Sequence, residues 1–220
     1  MSTDRPAECR QALVDGLAAG GWSLPEPAVE ALLGYVNLLH QWNRAYNLTA
    51  VRDPVEMVRR HVLESIAVLP YIHGDRLLDI GSGAGLPGLP LAVARGSGST
   101  ELMDSAAKRV RFLHHVVTTL GLKDVHVVHG RAEEMPHRGA DCVTARAVAP
   151  LERLLPMAIR HCAPGGRVVS LKGPRVEEEL DALPEALRGQ LDVKTVEVPG
   201  GERRMRIVVY HQTLTTDKYD

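Results

Sequence analysis

The residues whose spacing carries the most chemistry lie between Leu77 and Gly88, reading LLDIGSGAGLPG. An apolar run leads to an acid, Asp79, and then to glycines at Gly81, Gly83 and Gly85; Pro87 and Pro90 open the apolar segment that follows. Run, glycines and segment predict a strand, a tight turn and a helix. Glycine admits positive φ and lets backbone approach a ligand with no Cβ between them, and Gly83 is expected to lack room for a side chain. The helix start presents free N–H groups. Pro87 and Pro90 supply none, which leaves fewer donors for a pyrophosphate and suits a ligand without phosphate. On this stretch alone, a bound ligand and a purely structural turn stand even. A second acid, Asp104, ends the strand predicted over Ser99–Met103. It falls about twenty residues past the glycines, where a doubly wound sheet places an acid for two ribose hydroxyls. Asp104 or Ser105 would equally cap the helix beginning near Ala106.

These residues need a scaffold, and the sequence alternates accordingly from Asp75 onward. Strands are expected at Arg76–Ile80, Ser99–Met103, Val125–His129, Asp141–Ala145, Arg167–Leu171, Asp192–Val198 and Met205–Tyr210, with helices near Leu89–Arg95, Ala106–Leu120, Leu151–His161 and Val176–Leu187. Such alternation implies a mainly parallel α/β sheet covered on both faces. The last two strands have no helix between them and therefore form an antiparallel hairpin. Residues 1–73 read as an N-terminal helical extension packed on a core spanning 74–220. Within it Val29, Leu32, Leu33, Val36 and Leu39 make one helical stripe, and Asp53-Pro54-Val-Glu56 is a helix start with a capping box. The segment Gln41–Thr49 between them is rich in amides and aromatics, and reads as a local cap network in preference to part of a substrate surface.

Composition limits the alternatives. A net charge of −1 predicts no uniformly basic surface, so any nucleic-acid binding must come from local patches. Cys9, Cys142 and Cys162 are too few and too widely spaced for a disulfide framework, and with a polar, charged first segment they point to a cytoplasmic protein. No window approaches the length of a membrane span. A metal site is not expected: His126 and His129 fall on opposite faces of a strand, and His114 and His115 diverge on a helix.

Ligands of parallel α/β sheets bind beyond the C-terminal strand ends, which selects the glycine turn, Asp104, 130–133, Arg146 and Lys172-Gly173. The order Asp-x-Gly-x-Gly-x-Gly resembles the S-adenosylmethionine loop of class I methyltransferases, whereas a dinucleotide site wants glycine where Leu86 stands. More widely, the chain resembles the bacterial small-subunit (16S) ribosomal RNA guanine-N7 methyltransferases, the glucose-inhibited division protein B family. The resemblance rests on Trp42-Asn43 with Tyr46–Thr49, Val51–Pro54, Arg60-His61, Asp79–Pro90, Leu102–Arg111, Arg131–Glu134, Arg146-Ala147, Leu171–Gly173 and Gly201–Arg203. It implies a Rossmann-like class I fold and S-adenosylmethionine contacts at Gly81, Gly83, Leu86, Ala132, Glu133 and Arg146, with Asp104 on the ribose. Without the resemblance, Glu133-Glu134 would read as a solvated turn and Arg146 as an ion pair at a strand end.

If guanine N7 is the acceptor, the nucleophile is a lone pair with no proton to remove, so no general base is expected among the residues. The partner would be 16S ribosomal RNA or the small ribosomal subunit. Basic residues recur near the C-terminal strand edge: Lys108, Arg109 and Arg111, then Arg131, then Lys172 and Arg175, then Arg203, Arg204 and Arg206, with Arg59 and Arg60 from the helical part. Lys108, Arg109, Arg131, Lys172 and Arg203 are the expected phosphate contacts, and the target guanine is expected in a loop. A methyltransferase for a small molecule or protein would share the loop without needing these clusters. A nicotinamide oxidoreductase would need the sixth-position glycine and a proton donor, and has neither.

Overall fold

The computed structural model describes residues 5–173, 175–199 and 204–212. Seven strands form one sheet in the order β3-β2-β1-β4-β5-β7-β6: β1 Arg76–Ile80, β2 Ser99–Asp104, β3 Val125–His129, β4 Ala140–Arg146, β5 Cys162–Lys172, β6 Leu191–Glu197 and β7 Arg204–His211. The first five pair in parallel, while β7 runs antiparallel between β5 and β6. All seven expected strands are present, with β5 longer than expected at its N-terminal end.

Side-chain alternation divides the core into two layers. Leu77, Leu102, Cys142, Val169, Ile207 and Val209 face one side, where α5 (Gly88–Arg95) and α6 (Ala107–Thr119) cover them together with the N-terminal helices. Leu78, Ile80, Met103, Val143, Val168 and Val208 face the other, under α7 (Leu151–Ile159) and α8 (Val176–Asp181). The helix expected over 176–187 is two, α8 and α9 (Glu185–Arg188). The break precedes Pro184, which disfavours helical geometry in the residue before it.

The N-terminal part comprises α1 (Arg5–Ala19), α2 (Glu26–Tyr46) and α3 (Pro54–Met57), which widens into a π-helical stretch, Val58–Leu63, and closes as α4, Glu64–Ile66. Asp53 caps α3 as expected, its Oδ1 accepting from the N–H of Val55 at 2.9 Å and of Glu56 at 3.1 Å. Glu56 pairs with Arg59 at 2.8 Å.

The amide-rich segment is not a linker at its start, because α2 continues through Trp42 to Tyr46 and ends on Asn47 in the left-handed region, φ 50°. Beyond that point it is the cap network the sequence favours. Buried Asn43 accepts from the Thr49 N–H and donates to the Val51 carbonyl, both at 2.9 Å, and Arg52 donates to the Asn43 carbonyl at 2.8 Å. One amide thus serves two backbone groups that have no water to turn to. Asn43→Leu should therefore lower stability by about 1–3 kcal/mol, read as a fall in thermal midpoint, with far-UV circular dichroism at low temperature unchanged.

Candidate functional site

At the C-terminal ends of β1, β2 and β3 a cavity of about 670 Å³ opens, within the range of small-molecule sites. Its walls are Ile80 and Gly81 from the glycine turn, Met103–Ser105 and Arg109 from β2 and α6, Gly130–Glu133 after β3, and Ala147–Pro150, Arg153, Pro156 and Met157 after β4.

Two acids hold the glycine turn. Asp79 is wholly buried, its carboxylate accepting from Thr144 Oγ1 at 2.9 Å and from the Gly88 N–H at 3.2 Å. A Cβ on Gly88 would stand 2.7 Å from that carboxylate, so glycine is required for the helix to approach β1 this closely. Asp104, 3% exposed, accepts from the Gly83 N–H at one oxygen and the Ala106 N–H at the other, both at 2.8 Å. It therefore fixes both the turn and the start of α6. Oδ1 retains a second lone pair for a hydroxyl donor from the cavity, while Oδ2 also accepts from Arg109 Nη1 at 3.5 Å. Gly81 (φ 65°) and Gly83 (φ 59°) lie in the left-handed region. A Cβ on Gly81 would meet Val148 at 2.7 Å; one on Gly83 would meet nothing nearer than 3.8 Å. Backbone conformation, and not lack of room, is what calls for glycine at Gly83.

Of the expected cofactor residues, Gly81, Asp104, Ala132 and Glu133 line one cavity. Gly83 stands behind Asp104, and Leu86 lies in the core under α5. Arg146 is directed elsewhere: its Nη2 donates to Glu64 at 2.8 Å and to the Arg60 carbonyl, within the π-helical stretch, at 3.1 Å. That is the strand-end ion pair. Among the basic residues, Arg109 (3.5 Å from Asp104) and Arg131 border the cavity, and Lys108 donates to the Tyr46 carbonyl at 3.3 Å. Lys172 departs from the exposed rim. Its side chain is 6% exposed, and Nζ donates to Glu179 at 2.7 Å and to the Ala149 carbonyl at 2.8 Å. The same Glu179 oxygen accepts from the Leu151 N–H at the start of α7, so the acid draws the lysine inward. Arg203 and the Gly201–Arg203 segment lie outside the described residues.

Two side chains that reach the cavity wall carry no motif in the sequence. At the end of α7, His161 Nε2 bonds the Ala132 carbonyl at 2.8 Å, and Arg160 donates to the carbonyls of Glu133 and Met135. The carbonyls of two cavity residues, Ala132 and Glu133, and of nearby Met135 are thus engaged from the end of α7. In the planar trans peptide between Ala132 and Glu133, the Glu133 N–H then points away from His161. Ala147, at φ 53°, is a further wall residue whose left-handed backbone no motif announces. Among the described residues, no group of three or more His, Cys, Asp or Glu is placed to hold a metal ion, and no helix is long and apolar enough to cross a membrane.

Strand order, the antiparallel β7 insertion and helices on both faces define the class I S-adenosylmethionine-dependent methyltransferase fold. Solved structures share it: a precorrin-6y C5,15-methyltransferase from Geobacter metallireducens (TM-score 0.52, 17% identity, 76% of this chain and 92% of that one) and TYW2 from M. jannaschii in complex with AdoMet (TM-score 0.51, 15% identity, 68% and 74%). Residues 28–208 match the family described as rRNA small subunit methyltransferase G, and the chain belongs to that family. Relatives named ribosomal RNA small subunit methyltransferase G include those of Alkalilimnicola ehrlichii, 49% identical over 88% of this chain and 89% of its own length, and Serratia proteamaculans, 45% identical over 88% and 94%.

Asp79 makes the turn pH-sensitive. Burial raises its carboxyl to about 7, the neighbouring hydrogen bonds from Ser82, Thr144 and Gly88 hold it down, and Asp104 pushes it up. In the unfolded chain the group ionises near 4. Its folded form therefore contributes stability that is fully present below about pH 4 and is lost as pH rises through 7. The stability of Asp79→Asn relative to wild type should accordingly rise across that window, by at most about 1.4 kcal/mol per pH unit, and level off above it. Urea titrations at several pH values measure the difference.

Proposed function

We propose that this protein transfers the methyl group of S-adenosylmethionine to N7 of a guanine in 16S ribosomal RNA, as free RNA or in the small subunit, in the cytoplasm. The observation that carries the reading is the shared cavity of Gly81, Asp104, Ala132 and Glu133, placed at the strand ends where this fold binds ligands. The cavity fits the cofactor: Asp104 offers its Oδ1 lone pair, and Oδ2 in exchange for the long Arg109 contact, to the ribose hydroxyls, and Ala132 and Glu133 present the adenine edge. Gly83 acts by fixing Asp104, and Leu86 by seating α5. The cofactor supplies an electrophilic methyl on a sulfonium centre.

The chain's own task is positional. N7 carries a lone pair and no proton, so the residues need only exclude water and align the two reactants in line. His161 and Arg160 serve by holding the wall from Ala132 to Met135 in one conformation. Arg109 and Arg131, which line the cavity, and Lys108, at the Tyr46 carbonyl, meet phosphate. Arg146 ties the end of β4 to the helical part.

The direct experiment incubates the protein with S-adenosylmethionine and 16S ribosomal RNA from cells lacking this modification, both as free RNA and in small subunits, then maps N7-methylguanine. One new N7-methylguanine is expected; methylation at another atom, or none, would overturn the reading. Within it, Asp104→Ala should weaken S-adenosylmethionine binding by about 1–3 kcal/mol in calorimetry, because two hydroxyl donors lose a charged acceptor. His161→Leu should raise KM for S-adenosylmethionine, with a smaller change in KM for RNA, because it frees the carbonyl of the adenine wall.

A further inference from the structure

The helical segment and α6 meet in a feature that the cofactor cavity does not use. Among the described residues, Tyr46 and Val14 are the large hydrophobic side chains left exposed, Tyr46 at 40%. Tyr46 is not isolated. Its ring lies 5.1 Å from that of Trp42 with 31° between the planes, and the His115 ring lies 5.2 Å from Trp42 at 33°. Phe112, wholly buried, meets Trp42 at 5.5 Å and 55° and anchors it to the core. Three rings, each tilted by about 30° from the next, thus link α2 to α6, with Phe112 buried, Trp42 half-buried and Tyr46 and His115 exposed.

The charge around them has one sign. Neither 31–52 nor 105–123, the two stretches that carry these rings, contains an aspartate or glutamate, in a chain whose acids and bases otherwise nearly balance. Lys108 stands at the Tyr46 end with one hydrogen bond, to the Tyr46 carbonyl, and two donors to spare. Arg111 follows on the same helix, exposed and one turn before His115. Arg109, next to Lys108, lines the cavity, so the first turn of α6 contacts the cavity through Arg109 and the Tyr46 carbonyl through Lys108.

We propose that Tyr46, Trp42 and His115 form a stacking platform for an unpaired base of the RNA, with Lys108 and Arg111 on the flanking phosphates. Aromatic faces edged by cations are what single-stranded RNA requires, because every base has a π-face and every linkage a negative charge. Helix packing alone accounts for Phe112 but gives no reason to leave Tyr46 in water beside an acid-free surface. The platform lies to one side of the cavity, so it takes a neighbour of the methylated guanine and holds the loop in register. This inference rests on the RNA substrate proposed above.

The test uses the full chain, 16S ribosomal RNA transcribed in vitro, and affinities at several salt concentrations, with S-adenosylmethionine affinity measured alongside. Tyr46→Ala should weaken RNA binding by about five- to a hundredfold with the salt slope unchanged, because stacking releases no counterions. Tyr46→Phe should bind like wild type. Lys108→Ala should flatten the plot of log affinity against log salt by about 0.7. Cofactor affinity should hold in all three. Wild-type RNA affinity in Tyr46→Ala, equal losses in Tyr46→Ala and Tyr46→Phe, or a parallel loss of cofactor binding would each overturn the platform. A wild-type protein that binds this RNA and S-adenosylmethionine but leaves N7 unmethylated would overturn the proposed function and leave the platform standing on its affinities.

Discussion

The buried carboxylate of Asp79 ties together the parts of this protein that must not move relative to one another. It sits on β1, takes the hydroxyl of Thr144 from β4 and takes the first N–H of α5 through Gly88. An isolated charge in such a place would be expensive, and the donors around it are what make the position tolerable. The arrangement also dictates sequence nearby, since Gly88 has no space for a Cβ against the carboxylate and Leu102. Asp104 repeats the device one strand over, holding Gly83 and Ala106. The glycine turn is therefore suspended between two acids, and its left-handed residues are fixed before any ligand arrives.

The sheet was legible because its information is local: apolar runs of strand length, glycine at strand ends, and helices between parallel neighbours. The glycine turn and Asp104 were legible for the same reason, their chemistry being written in spacing. What escaped depends on partners far along the chain. Lys172 reads as an exposed cation until Glu179 is placed beside it by α8. Arg146, a cofactor contact by resemblance and a strand-end ion pair by sequence, gives its guanidinium to Glu64 and the Arg60 carbonyl, partners that no spacing names. His161 and Arg160 carry no motif, because their role lies in which carbonyls they reach. Gln41–Thr49 reads as a cap network between two helices; that α2 runs on through Tyr46 is not announced, and Asn43 is retained inside it for the two backbone groups it satisfies beyond the helix end.

A second tie runs along the opposite layer. Glu179 joins Lys172 of β5 to the start of α7, and Lys172 in turn holds the carbonyl of Ala149 in the cavity wall. With His161 and Arg160 at the other end of α7, one short helix is fixed at both ends to segments that shape the cavity. Breaking a pair this buried leaves an uncompensated charge, which is more harmful than never having had the pair. The loop from Ala147 to Pro150, including the left-handed Ala147, thus depends on an acid several elements away.

The charge distribution has a kinetic side. Acids are missing from the stretches that form α6 and most of α2, on one layer, while α8 on the other carries Glu177, Glu178, Glu179 and Asp181. The two layers thus carry local patches of opposite character on a molecule of nearly zero net charge. A polyanion meets these patches unequally, and approaches that present the acid-free patch of α2 and α6 are favoured before contact is made. Orientation during approach, and not capture at long range, becomes the electrostatic contribution to encounter, and dissolved salt erodes it over the Debye length.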